Sequence, residues 1–145
     1  MEVIRRNTDY AMRLIVALVE NYNGQLISAG DLSMREDVSY DLACKLLQKL
    51  KAAGIIKSCM GPKGGFALAR APGDISMLEV ISVIQGPVVL NTCLDAEKTC
   101  PRKPSCAVSR ELEKLQKYIE KYLGDIKLDK LLDRSSCKKC VENKN

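Results

Sequence analysis

The 145-residue chain is 46% hydrophobic and 28% charged, a composition that is ordinary for one folded domain and excludes a disordered chain or two enzyme-sized domains. Its formal net charge of +5 directs attention to polyanionic partners. The absence of histidine removes the most common general base, the Ser-His-Asp arrangement and every His-containing metal site, so we do not expect an enzyme.

The chain begins with three segments of helical periodicity. Apolar residues recur at helical spacing over residues 8–22, before Gly24, which predicts a first helix. Because there is neither a signal-peptide pattern nor a window of about 18 to 20 apolar residues, we expect a cytoplasmic chain. A shorter helix is predicted over residues 28–36 and a third over residues 39–53, where Ser39 is a candidate N-cap.

The third predicted helix has an apolar and a polar face. Four leucines share one side, namely Leu42, Leu46, Leu47 and Leu50. The other side holds side chains that can reach phosphates and base edges, namely Ser39, Tyr40, Lys45, Gln48 and Lys49. Between Leu42 and Gly73 the chain has no Asp or Glu, and its basic residues there are Lys45, Lys49, Lys51, Lys57, Lys63 and Arg70. This segment is either a solvated basic surface or a site for nucleic acid.

After Gly54 the periodicity changes to two short β-like runs, at residues 55–59 and 66–69, separated by MGPKGG, which predicts a β-hairpin. Three helices followed by a hairpin are typical of a winged helix-turn-helix, in which the third helix enters the major groove of DNA. In the hairpin loop Lys63 supplies a cation, and Gly64 and Gly65 let the backbone approach phosphate closely. The predicted fold class is mainly α with this small β-hairpin.

Two more helices are predicted after the hairpin. Ser76 and Glu79 match a capping box that opens a helix extending to about Ile84, before Gly86. A longer helix follows over about residues 105–123, and its apolar residues have heptad spacing, namely Val108, Leu112, Leu115, Ile119 and Tyr122. Such a narrow apolar stripe is typical of a dimerisation helix, and packing of the helix onto its own domain is the alternative.

Seven cysteines, an odd number, argue against a full set of intramolecular disulfides and favour metal binding or redox chemistry. Cys93, Cys100 and Cys106 form a C-x6-C-x5-C arrangement among turn-forming residues. Thiolates are preferred ligands of both iron-sulfur clusters and zinc, so the residues leave both cofactors open. The other four cysteines are Cys44 and Cys59, which we expect to be small buried residues, and a C-x-x-C pair, Cys137 and Cys140, which is a weak signal.

These segments resemble the Rrf2 family of bacterial winged-helix transcriptional regulators, of the iron-sulfur cluster-sensing type that includes IscR and NsrR. The resemblance rests on KLLQKLKAAGIIKS, GPKGGFALARAP and ISMLEVISVIQGP, on the opening NTDYAMRLIVAL, and on the three-cysteine loop. It extends to about residue 125. It implies a homodimer held by the long C-terminal helix, with each subunit's recognition helix in one half-site of a palindromic operator in double-stranded DNA.

The resemblance also implies that Cys93, Cys100 and Cys106 are ligands of a two-iron or four-iron cluster, although six residues rather than the family's usual five separate the first two. Some relatives use a histidine as the fourth ligand, and this chain has none. Others use an acidic residue near the start of the first helix, donated by the other subunit, and Asp9 matches that position. Glu111 or a tail cysteine could replace Asp9, which could instead be a favourable charge at a helix N-terminus.

The sequence therefore predicts a dimeric DNA-binding repressor controlled by a cluster that senses redox state, nitric oxide, or the supply of iron or clusters. Two alternatives remain, an iron-sulfur or zinc carrier that does not bind DNA and a cofactor-free regulator of the same fold. The predicted division is a winged helix-turn-helix domain at residues 1–86, a cysteine-rich loop at 87–107, a dimerisation helix and C-terminal segment at 108–134, and a flexible tail at 135–145.

Overall fold

A computed structural model of the chain describes residues 3–98 and 100–132. Its helices, in chain order, are α1 (Arg6–Glu20), α2 (Ala29–Glu36), α3 (Tyr40–Ala52), α4 (Met77–Gln85) and α5 (Ala107–Asp125). Two strands, β1 (Ile56–Cys59) and β2 (Gly65–Leu68), form an antiparallel hairpin between α3 and α4. Among the described residues, none of the helices combines the length and the apolar character that a membrane crossing requires.

This architecture confirms the predicted fold class, a mainly helical winged helix-turn-helix followed by a long helix. Each predicted helix and strand is present, with bounds that differ by one or two residues. The first helix, α1, stops at Glu20, two residues before its predicted end, so that Tyr22 lies exposed in the following turn. Spacing alone does not locate that end, because Tyr22 continues the apolar repeat without packing on the core.

The core lies where α1, α3 and α4 pack together. Leu14 and Ile15 of α1 are completely buried, as are Leu47 and Leu50 of α3. Leu47 and Leu50 are three residues apart and share one side of α3, whereas Leu14 and Ile15 are neighbours on the buried side of α1. Burial of both sides fixes how the two helices are rotated relative to each other. At about 1.5–3 kcal/mol for each fully buried leucine or isoleucine, this packing is the main stabilising contribution to the helical part.

The hairpin is attached to the helical core by a third backbone segment. In the hairpin itself, Ile56 lies opposite Leu68 and Cys59 lies opposite Gly65. Ile27, just before α2, bridges to Phe66 with N···O distances of 3.1 and 2.8 Å. A Cβ atom on Gly65 would lie 2.5 Å from the Ile27 carbonyl oxygen. Glycine at this position therefore lets the two backbones approach each other.

The predicted capping box at α4 forms only in part. The Ser76 hydroxyl accepts a hydrogen bond from the Glu79 backbone N–H at 3.1 Å, as predicted. The Glu79 carboxylate does not complete the box; it pairs with the Arg70 guanidinium instead. This ion pair joins the segment after β2 to the first turn of α4. Arg70, one of the six basic residues of the basic segment, is therefore already paired with a carboxylate.

The segment after α5 returns to the core. Leu128 is completely buried, and its backbone N–H donates to the Ile75 carbonyl at 3.0 Å. The Met77 N–H donates to the Ile126 carbonyl at 2.8 Å, which adds a second attachment at the start of α4. The predicted boundary at residue 86 therefore separates segments that share a core, and the domain division stays a prediction.

Candidate functional site

The polar face of α3 points away from the core. Lys45, Gln48 and Lys49 are exposed, whereas Leu46, Leu47 and Leu50 are buried. Because the two groups alternate along the same helix, the packing that buries the leucines also holds the polar side chains outward. The helix therefore presents a row of long hydrogen-bond donors on a rigid support.

Tyr40 adds a hydroxyl to the beginning of this row. Its pKa is raised above the usual value, first by a hydrogen bond with the Cys44 side chain, then by the charges of Cys44 and Asp41 and by slight desolvation. A tyrosine hydroxyl is protonated near neutral pH even without this shift, so Tyr40 can donate a hydrogen bond. Ser39 is exposed at the N-cap position, although its side chain makes no capping hydrogen bond.

The hairpin loop carries a second group of exposed residues. Lys63 is exposed, and Met60, three residues earlier in the chain, is 98% exposed. The Gly64 N–H donates within the loop, to the Gly61 carbonyl at 2.9 Å, and a Cβ on Gly64 would lie 2.3 Å from the Cys59 carbonyl oxygen. The packing of the turn itself therefore requires glycine at position 64. The close approach to phosphate that the sequence predicts is a separate reason for glycine there.

The basic segment is less uniform than its sequence indicates. Arg70 is paired with Glu79 and is half-buried. The five lysines of the segment are all exposed, and within residues 3–98 and 100–132 no carboxylate forms an ion pair with them, namely Lys45, Lys49, Lys51, Lys57 and Lys63. Their positive charge is therefore available to an external anion.

The three loop cysteines lie between α4 and α5 as free, half-buried thiols. Cys93 is in a 3-10 turn, Thr92–Leu94, and Cys106 is the N-cap residue of α5. The Cys106 sulfur accepts a hydrogen bond from the Ser109 N–H at 3.4 Å. The first turn of a helix favours negative charge, so the Cys106 sulfur occupies a position that suits a thiolate acting as a metal ligand.

The donor chemistry of the loop suits a thiolate-bound metal, but the donors are not gathered. Within the described part of the chain, no three Cys, Asp or Glu side chains come together closely enough to hold a metal ion. Asp9 is exposed in the first turn of α1, and Glu111 is paired with Lys114 at 2.7 Å. Cys137 and Cys140 lie outside the described residues.

The remaining two cysteines differ from the sequence prediction. Cys59 is exposed at the end of β1, so the expectation that it is buried is wrong. It falls on the outward side of a strand in the wing, where alternate residues face solvent. Cys44 is half-buried next to Tyr40 on the outward side of α3.

Gln85 joins the N-terminal segment to the start of the cysteine loop, a role that sequence reasoning missed. Its side-chain oxygen accepts from the Arg5 N–H at 2.9 Å and from the Thr8 hydroxyl at 2.7 Å. Its side-chain nitrogen donates to the Val3 carbonyl at 2.9 Å. Gln85 also lines a cavity with Leu94 of the loop. The only signal in the sequence is a polar residue at the end of the mainly apolar MLEVISVIQ segment, which does not identify a partner about 80 positions away.

Comparison with known proteins identifies one family. A model named Rrf2 and described as an iron-dependent transcriptional regulator matches residues 4–134. The chain is 30% identical over 115 residues to the HTH-type transcriptional regulator NsrR of Shouchella clausii, covering 78% of this chain and 77% of that one.

Two solved structures share the fold. The structure of T. potens IscR has a TM-score of 0.71 and 26% identity, covering 93% of this chain and 90% of that one. The structure of CymR, the global cysteine regulator of B. subtilis, has a TM-score of 0.74 at 21% identity, covering 93% and 99%, and is a likeness of fold alone.

The hydrogen bonds of Gln85 yield a stability prediction. Gln85→Leu leaves the completely buried Thr8 hydroxyl without its acceptor, so we expect a loss of about 1–3 kcal/mol in the free energy of unfolding, measured by urea denaturation. The double variant Thr8→Val with Gln85→Leu removes both partners and should recover much of that loss. Gln48→Leu, on an exposed site, is the matched control and should change stability by less than about 0.5 kcal/mol. Additive losses in the double variant would contradict the proposed coupling.

Proposed function

Because the chain belongs to the Rrf2 family of transcriptional regulators, we propose that it is a dimeric repressor whose operator binding is controlled by an iron-sulfur cluster. Like its relatives, it is a DNA-binding regulator, and it is not an enzyme. The observation that carries the proposal is that the polar face of α3 and the lysines of the wing are both exposed, with no carboxylate of the described residues in an ion pair with those lysines.

DNA binding divides between two elements. On α3, Gln48 can form two hydrogen bonds with an adenine edge, and Lys45 and Lys49 can reach guanine or phosphate in the major groove. Ser39 and Tyr40 at the start of the helix add hydroxyl donors. In the wing, Lys63 with Gly64 and Gly65 contacts the flanking backbone.

Dimerisation through α5 is supported by the side chains that this helix leaves exposed. Four large apolar or aromatic residues are 47–67% exposed, namely Val108, Leu115, Tyr118 and Tyr122. Val108, Leu115 and Tyr122 are seven residues apart, so they form one stripe along the helix. A second copy of α5 would cover this stripe, and the resulting twofold symmetry would match a palindromic operator.

The cluster would be held by Cys93, Cys100 and Cys106, with Asp9 of the other subunit as the fourth ligand. Bound there, it would supply a redox-sensitive group next to the α4–α5 connection. A carboxylate is a weaker ligand of a cluster than a thiolate, so it leaves one iron open to nitric oxide or oxidants. The Cys106 position at the N-terminus of α5 connects the proposed ligand set to the proposed dimer helix.

The separation of the donors supports a second candidate. Since no three donor side chains of the described residues are gathered, a regulator of the same fold that uses no metal is consistent with the single chain. Structural zinc on the same three cysteines is the competing cofactor. A carrier without DNA binding would leave the exposed face of α3 without a function.

The first prediction concerns the charge of α3. Lys45→Ala with Lys49→Ala should abolish binding to the duplex that the wild-type protein selects from a random-sequence pool at physiological salt. At low salt, the log–log salt slope should fall by about two, one unit for each lost phosphate contact. Fluorescence anisotropy measures both quantities.

The control for this charge change is Lys114→Ala with Lys117→Ala on α5, which removes the same charge outside the α3 and wing surface. Gel filtration should give a dimer for both double variants. An unchanged slope in the α3 variant, or an equal loss in the α5 variant, would show that the proposed DNA surface is wrong.

The second prediction concerns the cofactor. Anaerobic reconstitution of the wild-type protein with iron and sulfide should give a visible absorption spectrum and stoichiometric iron and sulfide. Cys93→Ala, Cys100→Ala and Cys106→Ala should each lose this spectrum, and Asp9→Ala should alter it, because each removes a ligand. Cys59→Ala, which removes an exposed thiol outside the loop, is the control and should retain the spectrum.

Two other outcomes would contradict the iron-sulfur proposal. A colourless protein with one zinc per chain would support the zinc site, and a metal-free protein that binds DNA would support the second candidate.

The third prediction concerns the dimer. Leu115→Lys introduces two charges into the proposed interface, where their burial without partners costs several kcal/mol, so the protein should sediment as a monomer in analytical ultracentrifugation. Its thermal unfolding as a monomer should remain cooperative, since Leu115 is not in the core. Lys114→Ala should stay dimeric. A dimeric Leu115→Lys variant would place the interface elsewhere.

A further inference from the structure

A cavity of about 500 Å³ lies between four segments of the chain. It is lined by residues before α1, at the end of α4, at the start of the cysteine loop and in α5. Sites for small molecules in proteins typically have volumes of about 300–1,000 Å³, with apolar walls and a few polar groups that fix the orientation of the ligand. The size of this cavity suits a small organic molecule, and its side chains indicate the chemical class.

The walls of the cavity combine apolar side chains with two fixed amides. Three of the apolar residues are Val3, Val89 and Leu94. Gln85 is held by the three hydrogen bonds described above. Gln116 of α5 accepts from the Leu90 N–H at 3.3 Å and donates to the Glu120 carboxylate at 3.2 Å. Because these contacts already order the walls, less entropy is lost when a ligand binds.

The cavity also carries opposite charges that do not neutralise each other. Arg5 comes from the N-terminal segment and Glu97 from the cysteine loop, and neither forms an ion pair with any of the described residues. Asp95, the third charged residue of the lining, is already engaged. Its carboxylate accepts from the Glu97 N–H at 3.1 Å and lies 3.9 Å from the Lys98 ammonium group. A cation and an anion that line one cavity without pairing are available to a ligand that carries both charges.

We propose that this cavity binds a free α-amino acid with an apolar side chain. The ligand carboxylate pairs with the Arg5 guanidinium, next to the positive end of α1, which begins one residue later. The ligand ammonium group pairs with Glu97, and the ligand side chain packs against Val89 and Leu94. The inference goes beyond the proposed function, because the site requires neither DNA nor a cluster.

A ligand in this cavity connects the winged-helix part of the chain to α5. Arg5 and Gln85 belong to the first 86 residues, whereas Gln116 belongs to the helix proposed for dimerisation. A molecule that binds one relative placement of these parts more tightly than another shifts the equilibrium between them. We therefore expect the amino acid to change the affinity for DNA, and this consequence alone rests on the proposed function.

Isothermal titration calorimetry of the full chain with L-leucine, L-methionine and L-phenylalanine tests the site. At least one of them should bind saturably, with one molecule per chain. Its amide lacks the carboxylate and its N-acetyl form lacks the ammonium group. Each should bind at least about fivefold more weakly, as expected for the loss of one partly exposed ion pair. Equal affinity of all three forms, or no saturable binding of any of the three amino acids, would overturn the proposal.

Variants assign the two charges to the two ends of the ligand. Arg5→Gln should weaken binding of the amino acid about fivefold and leave binding of its amide unchanged, and Glu97→Gln should do the same with the N-acetyl form. Ala96→Trp places a bulky side chain in the lining and should abolish binding. All three positions are exposed, so the urea midpoint should stay near that of the wild type. The double variant Glu113→Gln with Lys117→Gln, an ion pair of α5 outside the cavity, is the control and should keep wild-type affinity.

Fluorescence anisotropy tests the consequence for DNA, on the duplex that the wild-type protein selects from a random-sequence pool. Saturating amino acid should change the affinity of the wild-type protein for this duplex and leave that of Ala96→Trp unchanged. An unchanged wild-type affinity would overturn the regulatory consequence, while the calorimetric result would still decide the site. If the wild-type protein selects no duplex at all, the proposed regulator function fails instead.

Discussion

Burial of the leucine side of α3 is the constraint on which the proposed activity depends. Leu47 and Leu50 are completely buried, and α3 packs against α1, α2 and α4, so α3 cannot rotate about its axis without exposing them. The polar residues opposite are fixed by the same packing. A rotation of α3 would therefore require the core to repack, whereas a movement of the whole winged-helix body would not. The control of DNA binding proposed above would consequently act on the relative placement of the two winged-helix bodies of the proposed dimer, and not on the helix itself.

The parts of the fold that could be predicted from sequence are those set by local spacing. The leucines of α3, the glycine-rich turn of the wing and the Ser76 cap each depend on neighbours within a few residues, and each forms close to its predicted position. The bridge between Ile27 and Phe66 and the hydrogen bonds of Gln85 join residues about 40 and 80 positions apart. No periodicity records such pairs, because each partner also satisfies its own local pattern.

In the cysteine loop, too, local spacing does not determine where the side chains lie in space. Spacing and residue type identify three thiols as donors, and the structure adds that Cys106 begins α5. In its described residues, the loop that leads from Cys93 to Cys106 has only short 3-10 turns, Thr92–Leu94 and Lys103–Ser105. Few backbone hydrogen bonds determine where the sulfurs lie, so a bound group or a second subunit would contribute much of their final arrangement. Sequence can therefore nominate ligands in such a loop without fixing their geometry.

The return of the chain after α5 has a consequence for biosynthesis. Leu128 fills a completely buried position beside Ile75 and the start of α4, although it lies near the end of the 145-residue chain. Helices that emerge earlier from the ribosome lack this residue, so their core is complete only after residue 128 has emerged as well. A truncated transcript or a stalled ribosome would then leave an incompletely packed polypeptide, which proteases remove more readily than a folded one.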